Sequence, residues 1–278
     1  MAGVFHNALA SMAATGSSSF GPASFRGYID EHRLKMHETA AAISVDGLNR
    51  LDPELAAHGV MVFRLGRFAG TRHTAFALHR CREGWADFFF DDAVLFGDRD
   101  PQTFTSTRSR QAIAAFQYLP RLTETSVVNL AAASGLLSVA LGLDDTDECL
   151  IPATGQSTYT FDVRPYADTF PWSHVAGQVE IDALWFAKRR GQKTLFLVEA
   201  KCTPNFESLA KHKLVYPYLA LRTTVPTQTP IVPVYLRALR RKNAWDFFIC
   251  ECELHQPSLS AVASLLPTER ICAMRVLL

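Results

Sequence analysis

The chain has 278 residues, enough for one large domain or a core with an accessory lobe, and enough to bury a sizeable interior without covalent help. Its 28 Lys and Arg against 27 Asp and Glu leave a formal charge of +1, which excludes a histone-like polycation and an acidic solvating tail but leaves room for a locally basic groove. With 48% hydrophobic residues and 19 Phe, it calls for a packed globular protein rather than a disordered one.

Residues 1–25 are rich in Ala, Ser and Gly, lack a basic n-region and an uninterrupted apolar run, and read as a flexible N-terminal segment rather than a signal peptide. Apolar spacing at Ile29, Leu34 and Ala41 predicts helix within Tyr28–Ile43, and Leu51–Val62 carries a second helical stretch with Pro53 near its start. Val60–Leu65, Thr74–Leu78 and Phe88–Phe96 read as strands, making residues 26–105 an α+β accessory or recognition region. Helices are expected over Ser106–Tyr118 and Thr123–Leu143, the second capped by Thr123 or Ser126 and ended by Gly142 and the acids Asp144, Asp145 and Asp147. Beyond the polar stretch Thr154–Thr160 and a hairpin, a helix is expected over Asn205–Val215, interrupted by Pro217. Strands follow at Ile231–Leu236 and Trp245–Leu254, then a helix over Ser258–Leu266 and a short strand or docking segment over Arg270–Leu278.

The hairpin carries the chemistry. Its strands read VEIDALWF, Val179–Phe186, and TLFLVEAKC, Thr194–Cys202. Strict alternation puts Glu180, Asp182, Leu184 and Phe186 on one face, with Val179, Ile181, Ala183 and Trp185 on the other. A two-residue turn at Arg190 and Gly191 sets Arg189 opposite Gln192, which places Asp182 opposite Glu199 and Glu180 opposite Lys201. Three carboxylates and one ammonium would then gather at one end of an apolar strand pair. Such a cluster raises carboxylate pKa values or recruits a cation. Hard oxygen donors suit Mg²⁺ or Mn²⁺, with Asp182, Glu199 and the carbonyl of Ala200 as ligands and Lys201 orienting or deprotonating water. Exposed surface ion pairs and a buried structural ion network are the other readings of the same residues.

Glu180-Ile181-Asp182 followed by Val198-Glu199-Ala200-Lys201 resembles the PD-(D/E)XK, or restriction-endonuclease-like, nuclease superfamily over roughly residues 124–236. Ile181 stands where the family name has Pro. The resemblance implies a divalent metal at Asp182 and Glu199, a catalytic Lys201, and an additional helix acid for which Glu124 is the topological candidate. Glu124 fits equally a helix-start residue that caps or answers the macrodipole. The resemblance also implies a polar residue near the scissile phosphate from the following helix, assigned here to Lys211, while His212 reads as a surface histidine.

Two basic clusters offer phosphate contacts: Lys188, Arg189, Arg190 and Lys193 around the turn, and Arg237, Arg240, Arg241 and Lys242 after the next strand. A solvated basic surface would show the same letters. The expectation is an α/β protein with a three-layer restriction-endonuclease-like core, a mixed central sheet over residues 106–278 and an N-terminal α+β extension. Its expected function is Mg²⁺-dependent endonucleolytic cleavage of DNA, with an RNA nuclease or a non-catalytic nucleic-acid-binding or assembly protein as alternatives. Cutting both strands of a duplex with one cluster per chain would call for a homodimer. No CxxC pair occurs among the six cysteines, and Cys250 and Cys252 read as buried thiols. Without an export signal or a membrane-length apolar run, a cytoplasmic protein with no membrane partner is expected.

Overall fold

The computed structural model describes residues 3–35, 39–106, 110–144 and 151–277. The first part of the chain runs α1 (His6–Thr15), β1 (Ser19–Ser24), α2 (Phe25–Glu31), α3 (Thr39–Ile43), α4 (Pro53–Ala57), β2 (Val60–Arg67), β3 (Thr74–Arg80), β4 (Phe89–Asp91), α5 (Asp92–Phe96) and β5 (Gln102–Phe104). It continues with α6 (Arg110–Gln117), α7 (Glu124–Ala133), α8 (Leu136–Ala140), β6 (Ala153–Val163), β7 (Trp172–Arg189), β8 (Gln192–Cys202), β9 (Ser208–Ala210), α9 (His212–Arg222), β10 (Ile231–Arg240), β11 (Ala244–Leu254) and β12 (Leu265–Leu277).

The protein is mixed α/β, organised on a large mixed sheet of order β1-β3-β2-β7-β8-β10-β11-β12-β5, with β6 on β7 as well. β7 and β8 are antiparallel, while β8 and β10 run parallel and need the α9 crossover between them. α7 and α8 cover one face: Val127, Leu130 and Leu137 pack with Ala183, Trp185, Phe196, Val198 and Leu236. On the opposite face, Leu214, Val215 and Leu219 of α9 join a larger core with Tyr235, Phe248 and Cys250. That core also takes in Phe5, Phe25, Phe63, Phe76 and Phe88, so residues 26–105 and 106–278 share one interior and one sheet.

Two glycines make the join between β2 and β7 possible. Gly66 has φ 72°, and a Cβ there would lie 2.5 Å from the Val175 carbonyl oxygen; a Cβ on Gly177 would lie 2.3 Å from His174 Cε1 and 2.6 Å from Gly66 Cα. Only bare backbone fits this crossing.

Several expectations change. Of the segment 1–25 expected to be flexible, residues 3–25 are not a loose tail: α1 and β1 form there, and Phe5, Ala8, Leu9 and Met12 are buried. The span Phe88–Phe96 turns from strand to helix because the Asp91 carboxylate caps α5, accepting the N–H groups of Ala93 and Val94. The Thr123–Leu143 helix breaks at Ser134, where Gly135 takes φ 80°. Residues 205–210 hold β9 rather than the start of a helix, and α9 runs through Pro217. The Ser258–Leu266 helix is replaced by two single turns leading into β12. Asp145, Asp147, Cys149 and Leu278 lie outside the described residues; Cys81, Cys202, Cys250, Cys252 and Cys272 are free thiols. Among the described residues no helix is long and apolar enough to cross a membrane.

Candidate catalytic site

The hairpin register is the expected one: Arg189 pairs with Gln192 and the ladder continues in step to Ala183 and Val198. The turn residues Arg190 and Gly191 both have positive φ, as a two-residue turn of this hand requires. At Asp182 the ladder gives way. There the side chain replaces a backbone acceptor, Asp182 Oδ2 taking the Ala200 N–H at 2.9 Å. The same point carries a β-bulge against β6, since Leu184 pairs with Ala153 but Ile181 pairs with Gly155. The extra residue breaks strict alternation. Ile181 therefore packs with Leu184, Leu195 and Leu197 rather than with Ala183 and Trp185.

Lys201 ties the cluster together. Its Nζ lies 2.8 Å from Glu199 Oε1 and 3.0 Å from Glu124 Oε1, so the first residue of α7 reaches the end of β8. Thr123 caps α7 by accepting the Ser126 N–H, which leaves the Glu124 side chain for Lys201. From α9, Lys213 Nζ sits 3.9 Å from Glu199 Oε1 and 3.4 Å from Asp46 Oδ1. Asp182, Glu199, Lys201, Glu124, Lys213 and Asp46 thus form one charged network.

Burial sets its electrostatics. Glu199 is 4% exposed, and loss of water pushes its pKa up to about 7, with Asp182 adding repulsion and Lys201 only partly offsetting both. For Lys201, burial alone would lower the pKa, but Glu199, Glu124 and Asp182 together hold it well above the usual range. Lys213 is raised in the same way against burial by Glu199 and Asp46. Asp46 is opposed by burial too, yet Lys213 and Lys201 bring it below the ordinary carboxylate value. At neutral pH both lysines are ammonium groups, and Glu199 is the acid poised to change charge.

The other expected residues fall elsewhere. Glu180 does not face Lys201: it pairs with Gln156 on β6 beyond the bulge, is exposed, and accepts from the Gln178 amide at 3.1 Å. Lys211 is not at the site but buried, 5.2 Å over the Phe90 ring, where desolvation lowers its pKa to about 8. Lys213 occupies the place assigned to Lys211, because the helix starts at His212 and a face counted from Asn205 is turned. His212 is buried rather than on the surface. No local pattern marks Asp46, which arrives from a loop.

The turn cluster sits at the wrong end of the hairpin, about 20 Å along β8 from Glu199. Arg189 there is structural: it pairs with Glu251 at 2.6 Å and lies over Phe196, while Asp144 accepts the Arg190 and Gly191 N–H groups. Lys188, Arg190 and Lys193 are exposed at the tip. Arg237 is fully buried, paired with Asp92 at 3.1 Å and donating to Thr203 and the Asn205 carbonyl, so it cannot reach a ligand. Arg240 and Arg241 do line a depression, with Arg121, Lys242 and Cys202, the residue after Lys201. Arg240 donates to the Pro120 carbonyl, and Arg241 pairs with Asp246 at 2.7 Å while remaining half exposed.

Among the described residues, no group of three or more His, Cys, Asp or Glu side chains is placed to hold a metal ion. The oxygens that could hold a cation here are those of the Asp182 and Glu199 carboxylates and the Ala200 carbonyl. No curated protein and no solved structure matches the chain. One family model does, over residues 95–263, more than half of the chain and a span that includes Glu124, Asp182, Glu199, Lys201 and Lys213 but not Asp46. The chain accordingly belongs to the family described as a domain of unknown function, DUF6997.

Proposed function

We propose that this protein is a metal-dependent nuclease that hydrolyses phosphodiester bonds, with DNA as the first substrate to test. The observation that carries the reading is the Lys201 ammonium held between Glu199 and Glu124 at the end of β8, where Asp182 closes the strand pair. Support comes from the order α7-α8-β6-β7-β8-β9-α9-β10, with β7 antiparallel and β10 parallel to β8, which contains the helix-strand-strand-strand-helix-strand order a restriction-endonuclease-like core would have. The basic depression lined by Arg121, Arg240, Arg241 and Lys242 beside Cys202 gives a strand's phosphates somewhere to lie.

The donor set fits Mg²⁺ or Mn²⁺, which bind through one or two carboxylates and take their remaining oxygens from water and substrate phosphate. Asp182 Oδ2 and Glu199 Oε1 are committed within the protein, leaving Oδ1, Oε2 and the Ala200 carbonyl to hold the ion. When bound, the ion would lower the pKa of water and offset charge on the phosphate. Lys201, held as ammonium, orients water and stabilises the charge that develops on the phosphate oxygens rather than acting as a base. Glu124 keeps Lys201 in position from α7, and Lys213 adds a second cation from α9.

Supercoiled, linear and branched DNA, single strands and RNA, each incubated with Mg²⁺, Mn²⁺ or chelator, test this. Cleavage should need the metal, and Lys201→Ala should lose about 10²- to 10⁴-fold in rate while keeping its fold and metal affinity. Glu199→Gln should lose both metal affinity and cleavage. No cleavage of any substrate, or full rates in both variants, would refute the proposal. The absence of a third metal-binding side chain among the described residues favours a second reading, a nucleic-acid-binding protein in which Lys201 only neutralises Glu199. Binding without cleavage would identify it.

A further inference from the structure

The charged network does not end at Lys201. Cys202, the next residue, lines the depression of about 740 Å³ that carries Arg121, Arg240, Arg241 and Lys242. Burial and then Glu124 raise the pKa of the Cys202 thiol while Arg237, Arg121 and Arg240 oppose them, so one sulfur senses both the network and the depression. A second depression of about 180 Å³ shares Arg240, Arg241, Lys242 and Trp245 with the first and adds Gln117, Leu119 and Asn243. The two form one trough along the turn between β10 and β11, with no carboxylate in its lining among the described residues.

The way these groups are held decides what they can bind. Asp246, fully buried, takes Nε of Arg241, and the guanidinium stays half exposed with its terminal nitrogens left to a ligand. Arg240 donates to the Pro120 carbonyl and so ties the connection between α6 and α7 to the trough. On that connection stands Tyr118, between the lining residues Gln117 and Leu119, with 83% of its surface exposed. Gln117 and Asn243 are exposed too, and their amides both donate and accept. Cations without an acid among them attract a polyanion. An open ring and two neutral amides serve bases rather than phosphates. A duplex keeps its bases stacked and paired, so only an unpaired strand can use both sets of groups at once.

We infer that this trough holds an unpaired strand of nucleic acid running on from the phosphate at Lys201, with its phosphates on Arg121, Arg241 and Lys242 and a base stacked on Tyr118. The inference rests on the nuclease reading above and adds the form of the substrate, single-stranded on that side of the cut. An acidic peptide would engage the cations but would not continue from a phosphodiester at Lys201. Stacking on Tyr118 tolerates any base, because every base has a flat face, so the trough selects an unpaired strand without selecting its sequence.

Binding is read on the full chain in chelator, so that nothing is cut, with one labelled DNA sequence as a single strand and as a duplex across a salt series. The single strand should bind at least about ten-fold tighter than the duplex. Tyr118→Ala should weaken single-strand binding about ten-fold and leave duplex binding unchanged, while Tyr118→Phe keeps the wild-type affinity, as stacking on a ring requires. Arg121→Gln and Lys242→Gln together should flatten the single-strand salt slope by about 1.4, since each phosphate contact contributes about 0.7. All three side chains are exposed, so the variants keep the fold. A duplex bound as tightly as the single strand, or single-strand binding that Tyr118→Ala leaves intact, would overturn the trough assignment, and cleavage under Mg²⁺ in the same preparation would show the nuclease reading still standing. The expected binding pattern with no cleavage under Mg²⁺ would remove the nuclease reading and leave the trough as a strand-binding surface.

Discussion

At the scale of single residues, burial does more than sequence position to decide what a charged or titratable group can do. His174 and His212 are held neutral, with pKa values lowered to about 4 and about 3 from 6.5, while Glu199 is raised to about 7. The histidines therefore bind protons more readily unfolded than folded. Their contribution to stability is whole above pH 6.5 and is lost as pH falls toward 4 and 3, on the order of 3 kcal/mol for His212 by pH 4. Glu199 works in the opposite sense, its contribution being whole below the usual carboxylate range and lost as pH rises through about 7. Urea denaturation at pH 7.5 and 4.5 should show the native protein losing stability with acid and His212→Asn losing distinctly less. Parallel losses in the two proteins would contradict the neutral, buried assignment. The same principle explains Arg237 and Lys211, which look like phosphate ligands in the sequence and are spent on the interior.

At the scale of elements, the crossing of β2 over β7 fixes where Asp46 and Arg64 stand relative to α9. Gly66→Ala should cost about 2–4 kcal/mol, because a side chain there meets both a left-handed backbone and the Val175 carbonyl. Gly59 offers the control: its φ is 62° but a Cβ would touch nothing within 4 Å, so Gly59→Ala should cost only about 1–2 kcal/mol. Equal losses in thermal denaturation would mean that the crossing is not close-packed. The β7–β8 pairing was legible beforehand because a two-residue turn leaves one register available, and that register brought Asp182, Glu199 and Lys201 to one end. The bulge at Asp182 was not, since β-bulges depend on the partner strand and nothing within VEIDALWF names β6 as that partner. Glu180 was misplaced for this reason. Lys213 was missed because β9 delays the helix, a strand three residues long with no pattern of its own.

At the scale of the whole molecule, the shared core makes the N-terminal third a structural necessity. The family-matched span 95–263 lacks Phe5, Phe25, Phe63, Phe76 and Phe88 as well as β12, which pairs along most of β11. Expressed alone, that span should show no cooperative unfolding transition in urea, whereas the full chain should show one; a cooperative transition in the fragment would show that it is self-sufficient. Composition made a large packed protein legible, but no compositional break revealed that one interior runs from Phe5 to Leu265.

The sheet order also governs timing during synthesis. Glu199 and Lys201 leave the ribosome tens of residues before β10, the strand that flanks them as Tyr235 and Arg237 come alongside, and well before β12 closes onto β5 near the chain's end. Synthesis delivers the N-terminal portion first. Asp182, Glu199 and Lys201 are thus translated before the strand that flanks them, so a nascent chain stalled before residue 231 would carry all three without β10 beside Glu199 and Lys201. If the protein is the nuclease proposed above, that delay keeps an unfinished copy from cutting nucleic acid.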